Sequence, residues 1–167
     1  MDMKYFYGGF WLRAGALITD LVLLTVVDGI FNLAIGLDFI ASAAPGQFSN
    51  KDMISIGFGL VSGFIYFTFL QALFNGTVGK KAFGLMLVDS KRYSQVSIGQ
   101  AVGRYFMFLV SWIIFLGLGI IWVGFQKKKQ GWHDLAANTV VVKKKHLNEL
   151  KLEAGIFPAK KVSPKAA

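Results

Sequence analysis

At 167 residues the chain has room for one or two domains, and 54% of it is hydrophobic against 16% charged, too little charge for a soluble domain of this size. It has no cysteine, which excludes disulfides, thiol chemistry and a cysteine-held zinc site. The net charge of +9 is unevenly placed, most of it after the last apolar run, as in the basic cytoplasmic parts of a membrane protein, so membrane lipids are the expected partners and nucleic acid is not.

Met1 to Leu12 is an aromatic lead with Tyr5, Phe6, Tyr7, Phe10 and Trp11, expected at the water–lipid boundary, where amphipathic rings collect. Ala14 to Leu33 reads as the first membrane helix: about 20 residues rising about 1.5 Å each match a hydrocarbon core about 30 Å thick. It is too long for the apolar part of a cleavable signal and carries Asp20 and Asp28. Arg13 stands at its entry, with Asp20 about 10 Å deeper on the same face. Asp28 lies eight residues further on, nearer the far boundary. Gly36 to Asp52 holds Pro45-Gly46 and little periodicity, so it reads as a loop, with Phe39 and Ile40 touching the surface.

Met53 to Phe74 is the second membrane helix and has no charge. Ser55, Gly59 and Gly63 recur every four residues, a small-residue seam along which another helix can approach closely. That seam is the expected meeting line of a homo-oligomer. Asn75-Gly76 is a turn signal, and Gly79-Lys80-Lys81 follows it. The upstream glycines and preceding strand of a phosphate-binding loop are missing, so Lys80 and Lys81 are assigned to lipid headgroups, together with Lys127, Lys128 and Lys129. Leu85 to Asp89 reads as a strand. Ser97 can cap the next helix, with Gln100 at its third position.

The third apolar run, Phe106 to Phe125, has Arg104 at its entry and is broken by Gly117-Leu118-Gly119. Thr139 to Val142 is β-branched and reads as a second strand. From His146 onward the chain is a basic tail with Pro158 and Pro164, expected to be disordered apart from a loosely bound surface helix over Leu147 to Glu153. Lys and Arg number two in the lead, one in the first loop, five in the second and ten after Phe125. The positive-inside rule then puts the N-terminus, the basic loops and the C-terminus in the cytoplasm. Three plain crossings cannot do that, so the third run either spans against the rule or re-enters and returns buried against protein. The expected fold is therefore an all-α integral membrane protein of the cell membrane. It has two transmembrane helices, a third apolar segment that re-enters or spans, and a small two-stranded pairing of 85–89 with 139–142. Residues 1–145 form the membrane domain and 146–167 the tail.

Three motifs, in order, resemble the RDD family of small membrane proteins. They are Gly9-Phe10-Trp11-Leu12-Arg13-Ala14 followed by Ile18-Thr19-Asp20, then Gly76-Thr77-Val78-Gly79-Lys80 running into Gly84-Leu85, then Trp132-His133-Asp134-Leu135-Ala136-Ala137-Asn138-Thr139-Val140-Val141-Val142. The resemblance covers about Gly8 to Val142. It implies three membrane segments and a defining Arg, Asp and Asp, which fall on Arg13, Asp20 and Asp134. It also implies a role in transport, with ion–proton exchange proposed for some members. Glycine often stands in the family where Asn138 stands here.

The residues themselves point to the same trio, because an ionisable group inside a membrane segment is a candidate functional site with a partner to be named. If the C-terminal part folds back, the fork of donors on Arg13 can hold both Asp20 and Asp134. Asp20 then exchanges a proton for another cation or binds a polar ligand, in a small transporter or transporter subunit. The alternative is a membrane adaptor or assembly factor in which the network only fixes packing and the basic tail recruits a partner or anionic lipid. Asp28, Arg104 and His133 are secondary candidates, His133 because it can titrate near neutral pH. No His-Glu-x-x-His, nucleophile elbow or metal cluster occurs, so no enzyme activity, metal or cofactor is expected.

Overall fold

The structure is a computed structural model that describes residues 3–36, 50–115, 122–124, 126 and 128–156. After a 3₁₀ turn at Met3–Phe6, helix α1 runs over Phe10–Ala34 and α2 over Asn50–Phe74. A one-turn helix α3, Val78–Ala82, leads into strand β1, Leu85–Asp89. Helix α4, Ile98–Phe115, opens the third apolar run. Helix α5, Trp132–Ala136, strand β2, Thr139–Lys143, and helix α6, Leu147–Glu153, complete the described chain. The proposed break at Gly117 to Gly119, the Pro45-Gly46 loop with Phe39 and Ile40, Lys127, and the tail prolines lie outside the described residues.

α1 and α2 are each 25 residues and apolar enough to cross a membrane. Their polarity is inside out. α1 buries Ala16, Asp20 and Gly29, and α2 buries Thr68, Gln71 and Ala72. Ile18, Val22, Ile30, Ile54, Leu60 and Leu73 are instead exposed. A helix that turns its polar groups inward and its large aliphatics outward is stable only in an apolar solvent.

The seam of small residues is used within the chain. Ser55 donates to Asn32 Oδ1 at 2.6 Å. A Cβ on Gly59 would stand 3.4 Å from Asp28 Oδ2, and one on Gly63 would stand 4.0 Å from the Tyr105 hydroxyl. Close approach by other helices is therefore realised within the chain, by α1 and α4.

Beside the helix pair lies a small sheet. β1 and β2 are antiparallel, pairing Leu85 with Lys143 through Asp89 with Thr139. Tyr7 bridges to Val142, and Gly8 N–H donates to the Val141 carbonyl at 2.9 Å. Leu87, Val140, Val141 and Val142 are fully buried. Phe6 and Tyr7 join them, at 1% and 0% exposure, which corrects the reading of the lead as wholly interfacial. Of that lead, Trp11 and Tyr5 remain exposed. The strand interior and the β-branched run need apolar cover, and the aromatic lead is the nearest supply. α6 is also held more firmly than expected, because Leu150 is fully buried in the cluster around Tyr7 and Val142.

Local signals explain the turns between elements. Ser97 Oγ accepts from Gln100 N–H at 3.2 Å while Gln100 Oε1 accepts from Ser97 N–H at 3.0 Å, so the capping box at the start of α4 is formed as read. Asn138 has φ 51°, the left-handed conformation that glycine adopts freely and asparagine tolerates. One turn geometry therefore accepts either residue.

Because the chain lacks cysteine, the strand register can be read by engineered pairs. Met86→Cys with Val142→Cys, which face each other across the ladder, should oxidise readily to a disulfide, measured as loss of both free thiols. Met86→Cys with Val140→Cys should not.

Candidate functional site

α5 is a single turn that begins after Gly131 and carries Asp134 at its third position. Asp134 Oδ2 accepts from Gly131 N–H at 3.2 Å, which fixes the carboxylate at the start of the turn. Two guanidiniums converge on it. Arg13 Nη1 donates to Asp134 Oδ2, and Arg104 Nη1 lies 2.5 Å from Asp134 Oδ1. The remaining donors of Arg13 go to the Gly8 carbonyl at 2.9 Å and the Lys129 carbonyl at 2.5 Å. Arg104 also donates to Thr139 Oγ1 at 3.2 Å. The cluster thus ties α1, α4, α5 and β2 at one point, with Asp134 fully buried.

Burial alone would raise the Asp134 pKa, but the Arg104 and Arg13 charges overcome it and hold the carboxyl far below the usual range. His133 packs its ring edge-on to Phe108 at 5.5 Å, with Nε2 3.6 Å from Asp134 Oδ1. Burial pushes its pKa down to about 3, which outweighs the opposing Asp134 charge. His133 is therefore neutral at physiological pH, not a near-neutral switch.

Asp20 is not the partner of Arg13. About 10 Å of helix separates the two, and Arg13 turns the other way, toward Gly8, Lys129 and Asp134. Asp20 is buried against α3. Its Oδ1 accepts from Tyr66 Oη at 2.6 Å and Gly79 N–H at 2.7 Å, and its Oδ2 accepts from Thr77 Oγ1. The glycine-bearing stretch that only partly matches a phosphate loop thus cradles the chain's own carboxylate. The approach demands glycine: a Cβ on Gly79 would lie 2.1 Å from the Ala16 carbonyl oxygen. Tyr66, Thr77 and Gly79 were not among the site residues read from sequence. Thr77 and Gly79 lay inside the second family motif, which was the available signal.

A cavity of about 500 Å³ runs along the inner face of α1 and is lined by Arg13, Asp20, Asp28, Lys80, Arg104 and His133 among other residues. From Arg13 to Asp28 is fifteen residues, about 22 Å of helix. Lys80 corrects the headgroup assignment, since it lines this cavity and is part-buried. Burial, reinforced by the Arg104 charge, drives its amine pKa well down despite Asp134 and Asp20. Lys81 is exposed with Nζ 4.5 Å above the Phe74 ring, Lys128 is exposed, and Lys129 contributes its backbone carbonyl to Arg13. Among the described residues Asp28 has a single side-chain hydrogen bond, from Ser62 Oγ at 3.1 Å. Among the described residues no group of three His, Asp or Glu side chains is arranged to hold a metal.

Inside-out helices, a buried ion cluster at one end and a cavity between them define an integral membrane protein. Comparison with known sequences makes the assignment specific: residues 7–138 match the model of the RDD family, and the chain belongs to that family. It is 33% identical over 149 residues to the uncharacterized protein YxaI of Bacillus subtilis strain 168, covering 81% of this chain and 97% of that relative. It is 31% identical over 153 residues to the uncharacterized membrane protein YteJ of the same organism, covering 86% of this chain and 85% of that relative. No solved structure matches the chain.

Removing the shared anion leaves two buried guanidiniums facing each other. Asp134→Asn should therefore destabilise the fold by about 3–5 kcal/mol, measured by thermal unfolding of the purified protein in detergent. The acid response should separate into two windows. His133 has a folded pKa below its unfolded one, so the unfolded chain binds the extra proton. Its contribution is complete above about pH 6.5 and lost as pH falls toward about 3. The Asp134 contribution is lost only below the ordinary carboxylate range. His133→Gln should accordingly flatten the fall in melting temperature through the upper window and leave the lower one.

Proposed function

We propose that this chain is a small transporter or transporter subunit, with the cavity along α1 as its solute site and the Arg13–Asp134–Arg104 cluster as its fixed frame. The observation that carries this reading is the cavity itself, which extends from the ion cluster past Asp20 to Asp28, about 22 Å of helix against a hydrocarbon core about 30 Å thick. The charge distribution supports an orientation with the ion cluster at the cytoplasmic end. The pairing of β1 with β2 supports a third apolar run that returns to the side it left.

Within the cavity the proton-exchanging role falls to Asp28 and not to Asp20. A carboxylate whose two oxygens take three donors is committed to its place in the fold. Among the described residues Asp28 has one donor and it lines the cavity, so its carboxylate can change partners without dismantling a turn. One observation favours the alternative of a non-transporting adaptor: every member of the ion cluster is matched within the chain, as a purely architectural network would be. A tail deletion that tests the adaptor must fall beyond Glu153, because Leu150 belongs to the core.

Reconstituted into proteoliposomes with a pH-reporting dye inside, the wild-type chain should show solute-coupled proton movement and Asp28→Asn should abolish it. Unchanged proton movement in Asp28→Asn ends the coupling idea. Asp20→Asn is expected instead to lower the yield of folded protein.

A further inference from the structure

The geometry points to an organic anion with an apolar body as the occupant of the α1 cavity, its negative group at Lys80 and its body along Leu17, Leu21, Leu24, Phe67 and Leu109. The inference rests on the transport reading only in calling that anion a cargo; the ligand class follows from how charges are matched around the cavity. At the charged end the lining carries Arg13, Arg104 and Lys80. Both oxygens of Asp134 are taken by the two guanidiniums, and both oxygens of Asp20 are taken by Tyr66, Thr77 and Gly79. Lys80 is left. Among the described residues its amine forms no ion pair and no hydrogen bond.

Two further polar groups on the same lining lack partners. Gln71 and His133 are each 5% exposed, and Gln71 Oε1 and His133 Nδ1 have no hydrogen bond among the described residues. Buried polar atoms without partners are costly, and a ligand whose polar group lies at this end can relieve that cost. A bare metal cation fits poorly at this end, because it would approach three basic side chains. The rest of the wall is aliphatic and aromatic, so it offers a solute burial of apolar surface and nothing to a small hydrated ion. The lowered basicity of the Lys80 amine agrees with this: without an anion beside it the buried charge is unsupported, and with one it is held.

The test uses the full chain in phosphatidylcholine nanodiscs, which enclose no compartment and so report binding apart from transport. Calorimetric titration with decanoate, corrected against empty discs, should show saturable binding. Acetate, with charge but no body, and decanol, with body but no charge, should each bind far more weakly. Lys80→Gln should weaken decanoate about ten- to a hundredfold, the worth of one charge-assisted hydrogen bond, and leave decanol unchanged. Lys80→Arg should retain decanoate, which guards against misfolding as the cause. Leu24→Trp, filling the apolar wall, should weaken decanoate while the melting temperature holds. Decanoate binding equal in wild type and Lys80→Gln, or absent in wild type, overturns the inference. So does acetate binding as tightly as decanoate. Loss of decanoate binding in phosphatidylglycerol discs would make the occupant a membrane lipid and overturns a soluble cargo. Binding that behaves as expected in a chain that moves no protons in proteoliposomes keeps the ligand class and removes the transport reading. Proton movement without decanoate binding does the reverse.

Discussion

A carboxylate removed from water must be answered by charge or lose its own, and Asp134 is answered twice. Two guanidiniums from helices distant in sequence, Arg13 on α1 and Arg104 on α4, end on its two oxygens. Neither arginine is content without it, since each is buried beside the other and the pair would repel. The arrangement therefore fixes three segments against one another. α1 can sit only where Arg13 reaches Asp134, α4 only where Arg104 does, and the turn of α5 only where Gly131 N–H and the following helical turn hold the carboxylate. The Lys129 carbonyl and the Thr139 hydroxyl each take a further donor from the pair, so β2 and the stretch before α5 are placed by the same interaction. Such clusters confer uniqueness of packing more than net stability, and a chain whose helices face lipid has few other means of choosing one packing, because apolar side chains meet lipid about as well as they meet each other.

The second carboxylate solves a different problem. α3 is too short to be stable alone, and its preceding turn has Asn75 and Gly76 both at positive φ. Asp20 reaches that turn from α1 and supplies acceptors to the Thr77 hydroxyl and the Gly79 amide. Gly79 has to be glycine for the backbones to meet at all. Arg13, Asp134 and Asp20, the trio that the resemblance singles out, thus belong to two separate constructions, an anion between cations and an anion in a cradle of neutral donors. They share one helix but do not touch as a triad.

Much of this was legible in the chain. The two long helices follow from apolar length, the strand pairing from two β-branched or aliphatic runs of matched size, and the capping box at Ser97 from spacing alone. Arg13 and Asp134 were also legible as partners, since the C-terminal motif could only matter to Arg13 by folding back. The direction of a long side chain was not legible. Arg13 and Asp20 share a helical face, yet the face does not say whether the guanidinium extends along the helix or away from it, and the backbone carbonyls of Gly8 and Lys129 decided that. Nor does a lysine run say which of its members lies inside: Lys80 and Lys81 are adjacent, and on a short helix adjacent residues point about 100° apart. The small-residue seam on α2 is a line of close contact, as its spacing says, and within the chain it is met by α1 and α4; a spacing of four defines a surface without naming what meets it.

What remains after the frame is subtracted is a cavity with two charges that the fold does not consume, Lys80 at one end and Asp28 toward the other. The difference is instructive, because the other charged and histidine side chains on that lining are spoken for. Arg13 and Arg104 hold Asp134, Asp20 holds α3, and His133 is kept neutral by burial. Groups that build the fold cannot also change partners during a working cycle without loosening it. Groups that are free to change partners have to be supported by an abundance of rigid structure elsewhere. The chain divides its charged residues along this line. Asp28, with one serine for a donor among the described residues, and Lys80, with none of its neighbours committed to it, are the two whose environment leaves room for a new partner.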